Sequence, residues 1–315
     1  MDATSRRKLL VWYRKNRRDL PWRRTRDPYA IWVSEIMLQQ TRVAAVVSYY
    51  ERFLRRFPDV GTLARARIDT VLTLWSGLGY YRRARHLHAA ARILRRDGFP
   101  RTAADWRRLP GVGPYTAAAV ASIAFGEPAA VVDGNVTRVL SRLHALDDGR
   151  PVGDLAQAWL SPRAPGDFNQ AVMELGATVC TPRSPECARC PLRTACAGKE
   201  TPERYPAPRA RARPVRERRA VAFACRNGKV FLTRRNGTGL LAGMWDLPPT
   251  RARGEPLAVI RHGVLNRHMV ISVYRDRAHG AGRWFTAWQL GRIPLAAAAR
   301  KCLRGTGFGL GDIRE

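Results

Sequence analysis

The sequence is short of acidic residues. Its 315 residues carry 25 Asp and Glu against 56 Lys and Arg, a formal net charge of +31. That imbalance makes a polyanion the first candidate partner. An Arg-rich solvated surface fits the charge equally well, because Arg far exceeds Lys. There is no run of about 18 apolar residues, so no membrane-spanning helix and no membrane partner are expected. The N-terminal stretch lacks a long apolar core and a small-residue cleavage site, so no signal peptide is read and a cytoplasmic location is expected. A disulfide framework is missing too: of six Cys, four fall between Cys180 and Cys196. In a cytosolic chain such crowding points to a metal or a cluster.

What is there allows two domains with real cores, since 45% of the residues are hydrophobic. Residues 1–200 read as a mostly α domain. Turn signals at Phe57-Pro58-Asp59, Gly98-Phe99-Pro100 and Gly111–Pro114 separate helices over Thr41–Phe57, Leu63–Trp75, Arg82–Asp97 and Tyr115–Phe125. Residues 201–219 are rich in Pro and Arg and read as an extended linker. Residues 220–315 read as a small α+β domain. Ala220–Cys225 and Lys229–Thr233 are joined by the hairpin signal Arg226-Asn227-Gly228, Val264–Tyr274 and Arg283–Thr286 are further strand candidates, and a last helix lies near Leu295–Arg304.

Three stretches carry chemistry. Glu35 lies in Trp32–Thr41, a helical run of apolar residues without Gly or Pro. Burial there raises a carboxyl pKa and makes it a usable acid near neutrality, although a Glu on a helix edge needs no such role. Leu109–Thr116, LPGVGPYT, precedes an Ala-rich helix. Gly111 and Gly113 let the backbone turn sharply and aim amides outward at a helix start, a site for phosphate. Asp133 follows an apolar run and opens another helix, where a plain N-cap is the ordinary role. Finally, Cys180, Cys187, Cys190 and Cys196 stand at spacings of six, two and five residues. Four thiolates in one loop can hold a [4Fe–4S] cluster or one zinc ion.

RRDLPWR, WVSEIMLQQT, GLGYYRRAR, LPGVGPYTA, VVDGNV, NQAVMELGA and the cysteine loop follow one another over residues 17–200. In that order they resemble the adenine DNA glycosylases of the MutY family, within the endonuclease III superfamily. The resemblance implies a helical glycosylase domain with a helix–hairpin–helix motif at 109–124 and a [4Fe–4S] loop at 180–196. Gly243–Pro248 is similar to that family's Nudix-like C-terminal domain. The implied activity is hydrolysis of the glycosidic bond of adenine mispaired with 8-oxoguanine or guanine in double-stranded DNA, by a monomeric enzyme. Glu35 matches the general acid and Asp133 the carboxylate that stabilises the oxocarbenium-like sugar, the paired logic of glycoside hydrolysis. Tyr115 and Asn135 match their supports. Arg18, Trp22, Arg23 and Glu174 match the pocket for the extruded adenine, and Gln40 and Tyr80 the residues that enter the base stack.

One position separates subfamilies. Endonuclease III-type enzymes place a Lys where this chain has Tyr115, and that Lys forms an imine with the sugar. Tyr cannot, so base removal without strand cleavage is expected. The segment His262–His268 departs from the family, having no Ser or Thr where the lesion is read. Asn266 and His268 are the candidates to substitute. The Glu-rich metal helix of Nudix hydrolases is absent, so no nucleotide hydrolysis is expected.

Overall fold

In a computed structural model, which describes residues 2–147, 151–207, 213–237, 239, 241–251, 254–264 and 266–309, eleven helices come first among the described residues. They are α1 (Ala3–Asn16), α2 (Pro28–Leu38), α3 (Val43–Arg56), α4 (Val60–Arg65), α5 (Ile68–Trp75), α6 (Tyr81–Asp97), α7 (Ala103–Trp106), α8 (Pro114–Phe125), α9 (Gly134–Leu143), α10 (Gly153–Trp159) and α11 (Pro165–Thr178). Packing groups the chain into two compact units: residues 1–55 with 89–210, and residues 56–88 with 211–315. The sequence boundary at residue 200 and this division differ over residues 56–88, whose partners in space are not their neighbours in sequence.

The first unit is built on α2 and α8. Asp27 caps α2 by accepting from the Tyr29 and Ala30 amides, and Pro28 opens it where no amide is needed. Every residue from Tyr29 to Met37 is buried, so α2 is a core helix rather than an amphipathic one. It packs on α8, whose buried face is mostly alanine and so allows close approach. Trp32 and Trp106 are both fully buried beside it; each such side chain contributes on the order of 2–3 kcal/mol. Helix α11 crosses α8 and α9 at two glycines. A Cβ on Gly166 would lie 2.7 Å from the Ile123 backbone, and one on Gly176 would lie 2.7 Å from Asn135 Cβ.

The second unit combines α4, α5 and the start of α6 with seven strands: β1 (Val215–Phe223), β2 (Cys225–Arg226), β3 (Lys229–Arg234), β4 (Trp245–Asp246), β5 (Ala258–Val264), β6 (Arg267–Arg275) and β7 (Gly282–Thr286). β6 is central in one sheet, parallel to β1 and antiparallel to β5; β3 is central in the other, antiparallel to β2, β4 and β7. Helices α12 (Ala287–Leu290) and α13 (Ala297–Gly305) complete it. The β2–β3 turn has Asn227 at φ 51° and Gly228 at φ 68°, the pair of positive angles a two-residue hairpin demands. The α5 side is tied to the sheets by polar contacts: Ser76 Oγ donates to the Leu295 carbonyl (3.0 Å), Arg234 pairs with Asp69, and Arg85 donates to the Ala242 carbonyl.

Four elements differ from the sequence pattern. The expected linker over residues 201–219 ends early, because residues 215–219 already form the start of β1, paired with β6. The helix expected over Leu63–Trp75 is two, broken at Ala66, whose freed carbonyl takes a bond from His88 Nε2 (2.9 Å). The strand expected over Val264–Tyr274 is instead most of β6 and the last residue of β5, paired across a turn at Asn266, a turn-prone residue. The strand expected over Ala220–Cys225 gives only its last residue to the hairpin; its body belongs to β1, which pairs with β6. Residues 208–212 of the expected linker, and Leu265, lie outside the described residues. Among the described residues no helix is long and apolar enough to cross a membrane.

Candidate active site

One pocket in the first unit gathers Arg18, Trp22, Arg23, Glu35, Tyr115, Asp133, Asn135 and Glu174. They come from four parts of the chain: the 3₁₀ turn Pro21–Arg23 with the loop before it, α2, the start of α8 with that of α9, and α11.

Glu35 projects from the middle of α2 and is 5% exposed. Its Oε2 is buried without a hydrogen-bond partner. Burial pushes its pKa up to about 7; Asp133 adds to the rise, while the Tyr115 hydroxyl and Arg23 oppose it. Tyr115 donates to Met173 Sδ (3.2 Å), and burial, with Glu35 and Asp133 nearby, pushes its own pKa well up. It therefore stays a neutral phenol.

Asp133 is the N-cap of α9, accepting from the Val136 amide at 2.7 Å. The ordinary capping role thus occupies one carboxylate oxygen. Its second oxygen accepts from Asn135 Nδ2 (3.0 Å). Asn135 is in turn held by Arg138, which donates to Asn135 Oδ1 (2.9 Å), to the Gly176 carbonyl (2.6 Å) and to the Cys180 carbonyl (2.8 Å).

Glu174 is fully buried on α11. Arg18 donates to it through its backbone amide (3.0 Å), Nε (2.8 Å) and Nη2 (2.7 Å), and Arg23 Nη2 adds a bond of 2.8 Å. Burial raises its pKa, but the two guanidiniums more than offset this and hold it at about 2. Trp22 packs edge-on against Tyr50, 5.4 Å between centroids. The pocket therefore sets an ionised, fully bonded carboxylate beside a carboxyl poised to carry a proton.

The remaining candidates lie elsewhere. Gln40 follows α2 exposed, at φ 58°, while its neighbour Gln39 is anchored to Thr116 Oγ1 (3.1 Å). Gly111, at φ 76°, and Gly113, the N-cap of α8, are both exposed on the hairpin between α7 and α8. Tyr80 belongs to the second unit and sits between α5 and α6 at φ 50°. Asn266 and His268 are exposed at the β5–β6 turn.

Cys180, Cys187, Cys190 and Cys196 line a second, largely apolar cavity of the first unit with Val139, Leu143 and Leu175. Among the described residues no three His, Cys, Asp or Glu are placed to hold a single metal ion. The four thiols share this one cavity, a donor set of soft sulfur ligands in a single loop. Arg142, 2% exposed, shapes this cavity: it donates to Cys180 Sγ (3.4 Å) and to the carbonyls of Thr181 (2.7 Å), Pro182 (3.1 Å) and Pro202 (2.7 Å). Arg138, Arg142, Gln39 and Met173 escaped the sequence reading. The only signal for the two arginines was their one-turn spacing on α9, which fits a solvated face as well.

Residues 33–161 match the family model described as HhH-GPD superfamily base excision DNA repair protein. The chain is 50% identical over 215 residues to an adenine DNA glycosylase of Rattus norvegicus, a match covering 62% of this chain and 42% of the relative. It is 36% identical over 315 residues to an adenine DNA glycosylase of Schizosaccharomyces pombe, covering 77% of this chain and 68% of that one. A solved thermostable thymine-DNA glycosylase superposes with a TM-score of 0.57 at 32% identity, over 63% of this chain and 99% of its own. The fold is thus that of a helix–hairpin–helix base-excision glycosylase. Within that class the chain belongs to the adenine DNA glycosylase family. It spans about half the length of the mammalian relatives it matches: 42% of the rat, 56% of the human and 60% of the mouse protein.

Proposed function

We propose that this chain removes adenine mispaired with 8-oxoguanine or guanine in double-stranded DNA and leaves the strand intact. The observation that carries this reading is that Glu35 and Asp133 line one pocket together with the Arg18–Arg23–Glu174 cluster. The adenine, turned out of the duplex, lies against Trp22 with Arg18, Arg23 and Glu174 along its edge. Glu35, with a pKa of about 7, gives its proton to the departing base. As the glycosidic bond breaks, positive charge grows on the sugar, and Asp133 faces it. Asn135 holds Asp133, and Tyr115 closes the site beside Glu35 without forming an imine. Gln40 and Tyr80 enter the base stack, and the outward amides at Gly111 and Gly113 take a backbone phosphate.

The cysteine cavity suits a [4Fe–4S] cluster held by Cys180, Cys187, Cys190 and Cys196, whose contribution is to fold the loop behind Arg138 and Arg142. The C-terminal sheets are a Nudix-like lesion reader, with Asn266 and His268 at the reading turn.

Single-turnover reactions on a duplex with one A·8-oxoguanine pair test the reading. Free adenine should appear, strand scission should need hot alkali, and borohydride should trap no adduct. Release of thymine or an oxidised pyrimidine instead, or efficient trapping, would overturn it. Protein purified without oxygen should hold about four irons per chain, fewer in Cys190→Ser; zinc without iron would refute the cluster.

A further inference from the structure

The turn between α5 and α6 holds three residues at positive φ: Gly77 at 111°, Gly79 at 72° and Tyr80 at 50°. Glycine adopts such angles freely, but a tyrosine does so only where its surroundings hold it. Those surroundings centre on Arg83. Its guanidinium lies over the Tyr80 ring, 5.1 Å from the centroid, and over the Trp75 ring at 5.5 Å. Its Nη2 donates to the carbonyls of Leu78 and Gly79, both at 3.4 Å, and its amide donates to the Tyr80 carbonyl at 2.8 Å. Trp75, fully buried, fixes the same loop through Nε1 to the Gly79 carbonyl (3.1 Å). Burial lowers the Arg83 pKa to about 10, so it remains a cation at neutral pH.

We propose that Arg83 is a positioning residue that holds Tyr80 in its left-handed pose, so that discrimination of the base opposite adenine depends on Arg83 as it does on Tyr80. The inference rests on the reading of Tyr80 as a residue that enters the base stack. A flat guanidinium can stack against two rings and reach two carbonyls at once; an ammonium is a point charge and cannot do both. In this inference Arg83 acts through Tyr80.

The test uses the full chain in four forms: Tyr80→Ala, Arg83→Met, Arg83→Lys and the double variant Tyr80→Ala/Arg83→Met. Single-turnover adenine release is measured on A·8-oxoguanine and A·G duplexes. The fluorescence of a 2-aminopurine beside the lesion reports unstacking in the bound complex. Without one base-stacking interaction, the A·8-oxoguanine to A·G rate ratio is expected to fall about tenfold in Tyr80→Ala. Arg83→Met and Arg83→Lys should match it, both with the 2-aminopurine signal reduced, and the double variant should be no worse than Tyr80→Ala. Should Arg83→Met fail to fold, Arg83→Lys, which keeps the charge and stem, decides alone. A ratio and fluorescence within twofold of wild type in Arg83→Lys would overturn the inference. So would a double variant whose loss is the product of the two single losses, since Arg83 would then act independently. If Tyr80→Ala itself changes nothing, the stacking role falls and the inference with it, whereas an Arg83 variant that changes nothing leaves that role standing.

Discussion

Two glutamates line one pocket, both all but inaccessible to water, and they end at opposite extremes. Glu174 meets two guanidiniums and is held at about 2; Glu35 meets none at bonding distance and rises to about 7. Burial penalises the charge on both. What separates them is whether the fold supplies donors: four bonds reach Glu174, whereas Glu35 Oε2 has no partner. Depth alone therefore does not make an acid of a carboxyl. The same chemical group becomes a fixed anion at Glu174 and a carboxyl that can hold its proton near neutrality at Glu35.

The sharpest break in this contrast is Glu35→Gln. Gln keeps shape and polarity but has no proton to give, so adenine release should slow by about 10²–10⁴-fold with binding of the mispaired duplex retained. In the wild type the rate should fall as pH rises through about 7, where Glu35 ionises. Glu174, ionised down to about 2, should add no limb near neutrality. A Glu35→Gln rate within a few-fold of wild type would leave Glu35 a buried carboxyl with no part in the chemistry.

Stability against pH should separate the two glutamates next. Glu174 is lowered in the fold, so its contribution is present above the unfolded value near 4.5 and is lost as pH falls toward 2. Glu35 is raised, so it costs nothing below 4.5, and the cost grows between 4.5 and 7. Each span corresponds to roughly 3 kcal/mol. Urea titrations at pH 8 should find Glu35→Gln more stable than wild type, with the gain gone at pH 4. Glu174→Gln should be less stable at pH 8, because it strands two cations against a neutral amide. Equal midpoints for both variants at pH 8 would contradict the contrast.

The smallest effect on the chemistry is expected from removing the C-terminal part. A chain ending at Lys199 keeps both glutamates, Asp133, the hairpin and the four cysteines, so it should still release adenine opposite guanine. It strips α5 and α6 of their partners at Leu295, Arg234 and Ala242. Preference for 8-oxoguanine should fall, and the salt slope of binding should flatten by about 0.9 for every phosphate no longer neutralised. An unchanged rate ratio would show that the C-terminal part does not read the lesion.

Much of this was legible in the sequence because it is local. The apolar run around Glu35, the cap at Asp133 and the glycines of the hairpin are each set by a few consecutive residues. What stayed hidden depends on distant pairing. Nothing near Glu174 announces Arg18, 156 residues away, so the sequence shows a carboxylate but not its charge state. The bond from Arg138 to the Cys180 carbonyl spans 42 residues, and the packing of residues 56–88 with the C-terminal sheets spans more than a hundred. The helix break at Ala66 had no Gly or Pro to mark it; its freed carbonyl is taken by His88, a residue of another helix.

Gly176 ties this architecture to inheritance. Its missing side chain is filled by Asn135, and the atoms it would strike are Asn135 Cβ, Cα and the backbone oxygen rather than a movable tip. Any single-base change of its codon that alters the residue therefore presses on the asparagine that steadies Asp133. On the function proposed above, damage at this codon would surface not as a loss of fitness at once but as a raised rate of new mutations elsewhere in the genome. On that same proposal a screen for mutator strains should recover position 176 alongside 35 and 133, although a glycine has no functional group to lose.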